Sequence, residues 1–217
     1  MNKFKFYFSG FNGSINDLKK GIKEGYDINE EGLNLLINVI KHCPFECDEY
    51  VDVLINNGIN INQKDEEGRN ALFYATLTSN IHLINQLIVN GIDINAIDKD
   101  GNNALSFICS KSVINPFIDK EKLSYLRAAM VERLIKAGIN VTTLNNKDES
   151  ALDAAVIHSS KEVVEALAKR GVGLHKPKVS IDPVIGIQDG YCKTKLQGLI
   201  YKIKYSRKYN LAKSYQK

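Results

Sequence analysis

Five glycines, Gly25, Gly58, Gly91, Gly138 and Gly171, stand 33, 33, 47 and 33 residues apart. A chain that returns to one phrase at one period is built by stacking one unit on the next. The phrase reads EGYDIN, NGININ, NGIDIN, AGINV and, more faintly, RGVGL. Ahead of each glycine come two positions three residues apart: Leu18 and Gly21, Val51 and Leu54, Ile84 and Leu87, Val131 and Leu134, Val164 and Leu167. That spacing fits one face of a helix, and a glycine just past the last turn takes the left-handed backbone that closes it. The 47-residue gap is one period carrying a 14-residue insertion.

A second phrase lies upstream in the unit: DEEGRNALFYA from Asp65, DKDGNNALSFI from Asp98 and NNKDESALDAA from Asn145. Its Asp and Gly residues favour a tight turn, and Asn70, Asn103 and Ser150 are placed to cap a helix that begins with Ala-Leu. Each unit is therefore a turn, a helix, a second helix and a loop. In the unit with the insertion, Pro116 breaks the chain and Asp119 is placed to cap a lengthened second helix. Another unit carries three extra residues around HCPFEC.

With Asp-x-x-Gly turns, Ala-Leu helix starts and a Gly-x-x-x-Asn ending at this period, the chain resembles the ankyrin repeat family. The resemblance implies an all-α solenoid of helix-turn-helix units with β-turn or hairpin loops. It covers residues 1–174 as one domain, in units of about 3–29, 30–64, 65–97, 98–144 and 145–174. Residues 175–217 form a basic C-terminal extension, expected to cap the last unit. Asn34, Asn70, Asn103 and Ser150 stand where the family has Thr, and Leu35, Ala71, Ala104 and Ala151 where it has Pro. The helix start so loses proline preorganisation and keeps a polar cap. Ile37, Phe73, Ser106 and Asp153 replace the family's His, so that side chain's hydrogen bonds are not carried over.

The same resemblance assigns positions to a concave binding groove. They are Glu30, Glu31, Leu33, Lys41 and His42 in the second unit, and Glu66, Glu67, Arg69, Leu77 and Thr78 in the third. The fourth supplies Lys99, Asp100, Asn102, Ser110 and Lys111, and the fifth Asn146, Lys147, Glu149, Ile157 and His158. With Asp65, Asp98 and Asp148, these positions gather acid along the row of turns, where a summed field steers a basic partner. The competing reading is an ordinary solvated surface. Phe73 and Tyr74 read as core between units, with exposed anchors as the alternative.

Charge is unevenly placed. Residues 1–174 hold 19 basic and 23 acidic side chains, against 10 and 2 in residues 175–217. The tail, with Lys193, Lys195, Lys202, Lys204 and Arg207 among Tyr201, Tyr205 and Tyr209, reads as solubilising charge on a capping element. Nucleic-acid or membrane-surface binding remains as its alternative. No run of 18 apolar residues marks a membrane helix, and Gly10, Asn12 and Gly13 cut the early aromatic patch below a signal-peptide core.

His42, His82, His158 and His175 fall in different units, and no His-Glu-x-x-His, Gly-x-Ser-x-Gly or phosphate-loop motif occurs. Cys43, Cys47, Cys109 and Cys192 lack disulfide spacing, and Cys43 and Cys47 beside His42 make a poor zinc set with Pro44 between them. The expectation is a chain with no catalytic residue, metal or cofactor. It is a cytoplasmic binder of one protein partner, monomeric when free and in the role of an immunity protein that neutralises a toxin. A secreted effector acting on host proteins is the alternative.

Overall fold

The computed structural model describes residues 14–30, 32–42, 47–78, 80–110 and 119–172. Among these the regular elements are α1 (Ile15–Lys23), α2 (Leu35–His42), α3 (Cys47–Asn56), α4 (Ala71–Ala75), α5 (Ile81–Val89), α6 (Ala104–Ser110), α7 (Lys120–Lys136), α8 (Ala151–His158) and α9 (Lys161–Lys169). They form two layers. Helices α2, α4, α6 and α8 stack in order as the inner layer, and α1, α3, α5, α7 and α9 as the outer one. Each inner helix also packs on the outer helix that follows it. The expected first helix of the first unit, Cys43, Pro116 and the C-terminal extension lie outside the described residues.

The periodic apolar positions build the core. Leu18, Val51, Leu54, Ile84, Leu87, Val131, Leu134, Val164 and Leu167 are all fully buried. Each closing glycine takes a positive φ, between 76° and 92°, as a helix stopped by a left-handed residue requires. Helix starts follow the expected chemistry. Asn70 Oδ1 accepts from the Leu72 N–H at 3.2 Å, Asn103 Oδ1 from Ser106 at 3.0 Å, and Asp119 Oδ1 from Lys122 at 2.9 Å. Ser150 and Asp153 complete a reciprocal capping box, with N–H donors at 3.2 and 2.9 Å.

The asparagine that ends each of the first three phrases ties one unit to the next. Asn29 Oδ1 accepts from the Asn60 N–H at 2.6 Å while its amide donates to the Gly58 carbonyl at 3.0 Å. Asn62 does the same with Asp93 and Gly91, at 2.6 and 3.2 Å. Asn95 accepts from Asn140 at 2.7 Å. At the fourth position the sequence has Thr142, which turns back on Asn140 Oδ1 at 2.8 Å, so this ladder ends there.

On the outer layer a polar side-chain contact spans every step: Lys19 to Glu49 at 2.9 Å, Asn80 to Asp48 at 2.9 Å, Gln86 to Asp52, Arg133 to Asn85, and Arg170 to Glu132 at 3.6 Å. The ion pairs among them, being at the surface, add little stability individually, and together the contacts join each outer helix to the next. At the end of α6 the buried Arg127 donates to the Ile108 carbonyl and Ser159 Oγ to the Cys109 carbonyl at 2.9 Å. Burial lowers the Arg127 pKa and pushes the Cys109 thiol up to about 12, which keeps that sulfur protonated and unreactive.

Two departures from expectation have local causes. Leu33, assigned to the groove, is instead core at 1% exposure. Gly32 (φ 77°) keeps the conformation of its counterparts Gly68 and Gly101, but Asn34 takes φ 45° where Asn70 is extended, and the Leu33 carbonyl accepts from the Asn38 side-chain amide at 2.8 Å. Asn34 therefore lacks the extended backbone that Asn70 and Ser150 adopt as caps. The turn of the last unit places Asp148 at φ 56°, where the two preceding units use Gly68 and Gly101 at 79°. Asp148→Gly is expected to raise stability by about 1 kcal/mol, seen as a higher urea midpoint with an unchanged slope.

Candidate concave binding face

The row of turns is assembled by backbone geometry. In the turn from Asp65 to Arg69, the Gly68 N–H donates to the Asp65 carbonyl and the Asp65 N–H to the Arg69 carbonyl, both at 2.9 Å. The Asp65 carboxylate accepts from the Glu67 and Arg69 N–H groups at 3.0 Å. Asp98 and Asn145 repeat this pattern in the next two turns. Successive tips are also joined: the Lys99 N–H donates to the Glu67 carbonyl at 2.9 Å and the Asn146 N–H to the Asp100 carbonyl at 2.8 Å. The Asn146 amide adds a bond to the Lys99 carbonyl at 2.8 Å.

Beside the turns, cations pair with aromatic rings. Phe73 and Phe107 meet edge to face, with centroids 5.4 Å apart, and with Ala96 they form a small core separate from the main one. Arg69 lies over the Phe107 ring at 5.0 Å while its Nε donates to Asp98 Oδ2 at 3.3 Å. Lys41 lies over the Tyr74 ring at 4.1 Å, and the Tyr74 hydroxyl donates to Asp65 Oδ2. Cation–ring stacking of this kind is worth about 0.5–1 kcal/mol at exposed sites and more when shielded from water.

The electrostatics follow from this network. Burial pushes the Asp65 carboxyl up, but hydrogen bonds from Tyr74, Arg69 and Glu67 and the nearby Lys41 charge outweigh it and hold the group below its ordinary value. Burial, reinforced by the bond to Asp65, pushes the Tyr74 phenol up to about 12, with Arg69 opposing. The phenol therefore remains a donor throughout the neutral range.

Of the residues assigned to the groove from sequence, Glu66, Glu67, Lys99, Asp100, Asn146 and Lys147 are exposed at the turn tips. Glu30, Arg69, Leu77, Asn102 and Glu149 are half-buried. Lys41, His42 and His158 are exposed at the ends of inner helices. Glu31, Lys111 and the side chain of Ile157 lie outside the described residues.

Asp65 and Asp98 need correction as members of an acidic steering row. The Asp98 side chain is fully buried and that of Asp65 only 12% exposed, because both carboxylates are turned inward onto backbone N–H groups. Phe73, at 0% exposure, is core rather than an anchor. Phe107 and the Lys41–Tyr74 pairing went unnoticed in the sequence. An aromatic near the middle of two successive inner helices was the signal available for the first, and none existed for the second.

Among the described residues no three His, Cys, Asp or Glu side chains cluster as metal ligands, and no helix is long and apolar enough to cross a membrane. No curated protein matches the chain. A family model for ankyrin repeats, written as three copies, matches residues 7–98 and again residues 78–178. The two matched spans cover the whole stack of paired helices with its turn row and asparagine ladder, and on that basis the chain belongs to the ankyrin repeat family.

Proposed function

We propose that the chain is a binding module that holds one protein partner in its concave groove and performs no chemistry on it. Ankyrin repeats generally bind another protein and are generally non-catalytic, and the groove residues fit that role. The observation that carries the reading is the split among the acids: Asp65 and Asp98 are buried in their own turns, whereas Glu66, Glu67 and Asp100 are exposed at adjacent tips. Lys99 and Lys147 are exposed at the same tips, but with Asp148 the four acids outnumber the two lysines, and a net negative rim raises the encounter rate of a positively charged surface.

A partner with a basic surface suits this rim, as a toxin acting on nucleic acid would. The role that follows is that of a cytoplasmic immunity protein, monomeric until it meets its toxin. The test is affinity capture with the intact tagged chain beside a Glu66→Lys, Glu67→Lys, Asp100→Lys variant, followed by mass spectrometry. The expected result is one protein captured by the parent and lost from the folded variant, with its toxicity abolished when the parent chain is added. Capture of the same protein by both forms would sink the reading.

A further inference from the structure

We infer that Lys41 is a carboxylate anchor, so that the partner surface is bipolar: basic where it meets the rim, with one Asp or Glu side chain that enters the groove. The inference rests on the concave face being the partner site. Its basis is a mismatch between Lys41 and Asp65, its one acidic neighbour among the described residues. The Asp65 carboxylate is already satisfied, by the Tyr74 hydroxyl on Oδ2 and by two backbone N–H groups on Oδ1. Lys41 Nζ stands 3.7 Å from Asp65 Oδ2, too far for a hydrogen bond. It is held instead by Coulomb attraction and by the Tyr74 ring beneath it.

The ammonium is thereby positioned yet has no acceptor at hydrogen-bond distance among the described residues, and the side chain is 35% exposed. Arg69 is the contrasting case, since its guanidinium is bonded to Asp98 and its side chain is only 18% exposed. Tyr74 and Asp65 have fixed the lysine before any partner arrives, which lowers the ordering cost of a contact made there.

A carboxylate is the group that complements a half-shielded ammonium with free donors. The same lysine repels a surface that is basic throughout. The rim attracts positive charge in general, and Lys41 selects, among such surfaces, those carrying an acid at the matching place.

The test pans random phage-displayed peptides on the intact chain and on three variants: Lys41→Met, which keeps an apolar stem against Tyr74, Lys41→Arg, which keeps the charge, and the rim triple reversal. The parent and Lys41→Arg are expected to enrich peptides pairing Lys or Arg with Asp or Glu. The best parent peptide should bind Lys41→Met about tenfold more weakly. The rim variant should lose the basic preference and keep the acidic one. If Lys41→Met fails to give a helical circular-dichroism spectrum, Lys41→Gln replaces it. Peptides enriched in basic residues alone, lost on rim reversal and indifferent to Lys41, would overturn the anchor and leave the proposed function standing. Enrichment unaffected by any variant would overturn both.

Discussion

Truncating Phe73 to alanine is expected to destabilise the chain by about 3–5 kcal/mol, measured as a fall in the urea midpoint at unchanged slope. Phe73 is the largest of the fully buried side chains among the described residues. Its ring supports Phe107 edge to face, and Phe107 in turn carries the Arg69 guanidinium. Among the described residues the small core to which it belongs has Ala96 and Phe107 as its other buried members, with Tyr74 and Leu77 half-buried against it, so few side chains are placed to collapse into the void. Domains of ordinary size hold about 5–15 kcal/mol in all, which makes this one truncation a large share of the margin. Phe73→Leu, which refills much of the volume, should lose far less, and an equal loss in both variants would show that the site does not act through packing.

Gly101 and Gly68 share a φ of 79° but not their surroundings. A Cβ on Gly101 would stand 2.7 Å from Asn146 Oδ1, 3.0 Å from Asn146 N and 3.2 Å from Asn145 Cα, whereas on Gly68 the nearest atoms are backbone at 3.5 Å. Gly68→Ala should therefore cost about 1–2 kcal/mol, the price of a left-handed non-glycine residue. Gly101→Ala adds a clash with the backbone of the next tip and should cost about 1–3 kcal/mol more. It also pushes apart the two tips joined by the bond from Asn146 N–H to the Asp100 carbonyl. Equal midpoints for the two alanine variants would contradict this account of how the tips meet.

The period, the paired helices and their stops were legible because each depends on residues close in sequence. A glycine two residues after a helix, or an asparagine just before one, acts through bonds to its own neighbours. What was not legible depends on distance or on competition. The early end of α4 comes from Thr76 and Thr78, whose hydroxyls donate to the Phe73 and Ala75 carbonyls at 2.7 and 2.9 Å. Threonine is neutral enough in sequence to hide that competition with the helix.

Leu33 was placed on the surface by counting along a turn that this unit builds differently. The Lys41–Tyr74–Asp65 network joins residues from two units, and composition alone cannot distinguish a carboxylate facing water from one folded onto its own turn. Asp98 shows the same limit, since it looks identical to Asp100 in sequence and has the opposite exposure.

The asparagine ladder also measures what the stack will accept. Asn62 reaches Asp93 across 31 positions of sequence at 2.6 Å, and Asn95 reaches Asn140 across 45 positions at 2.7 Å. The bond is the same although the second span carries the whole 14-residue insertion. Eight of those residues lengthen α7, which has 17 residues against nine in α5, so spacing between units is set by the side chain at one position and not by how much chain the unit holds. The entropy of closing a longer loop grows only with the logarithm of its length. The unit that holds the insertion is therefore open ground for evolutionary tinkering: length can be added, lost or rewritten there without any other unit having to change its vocabulary.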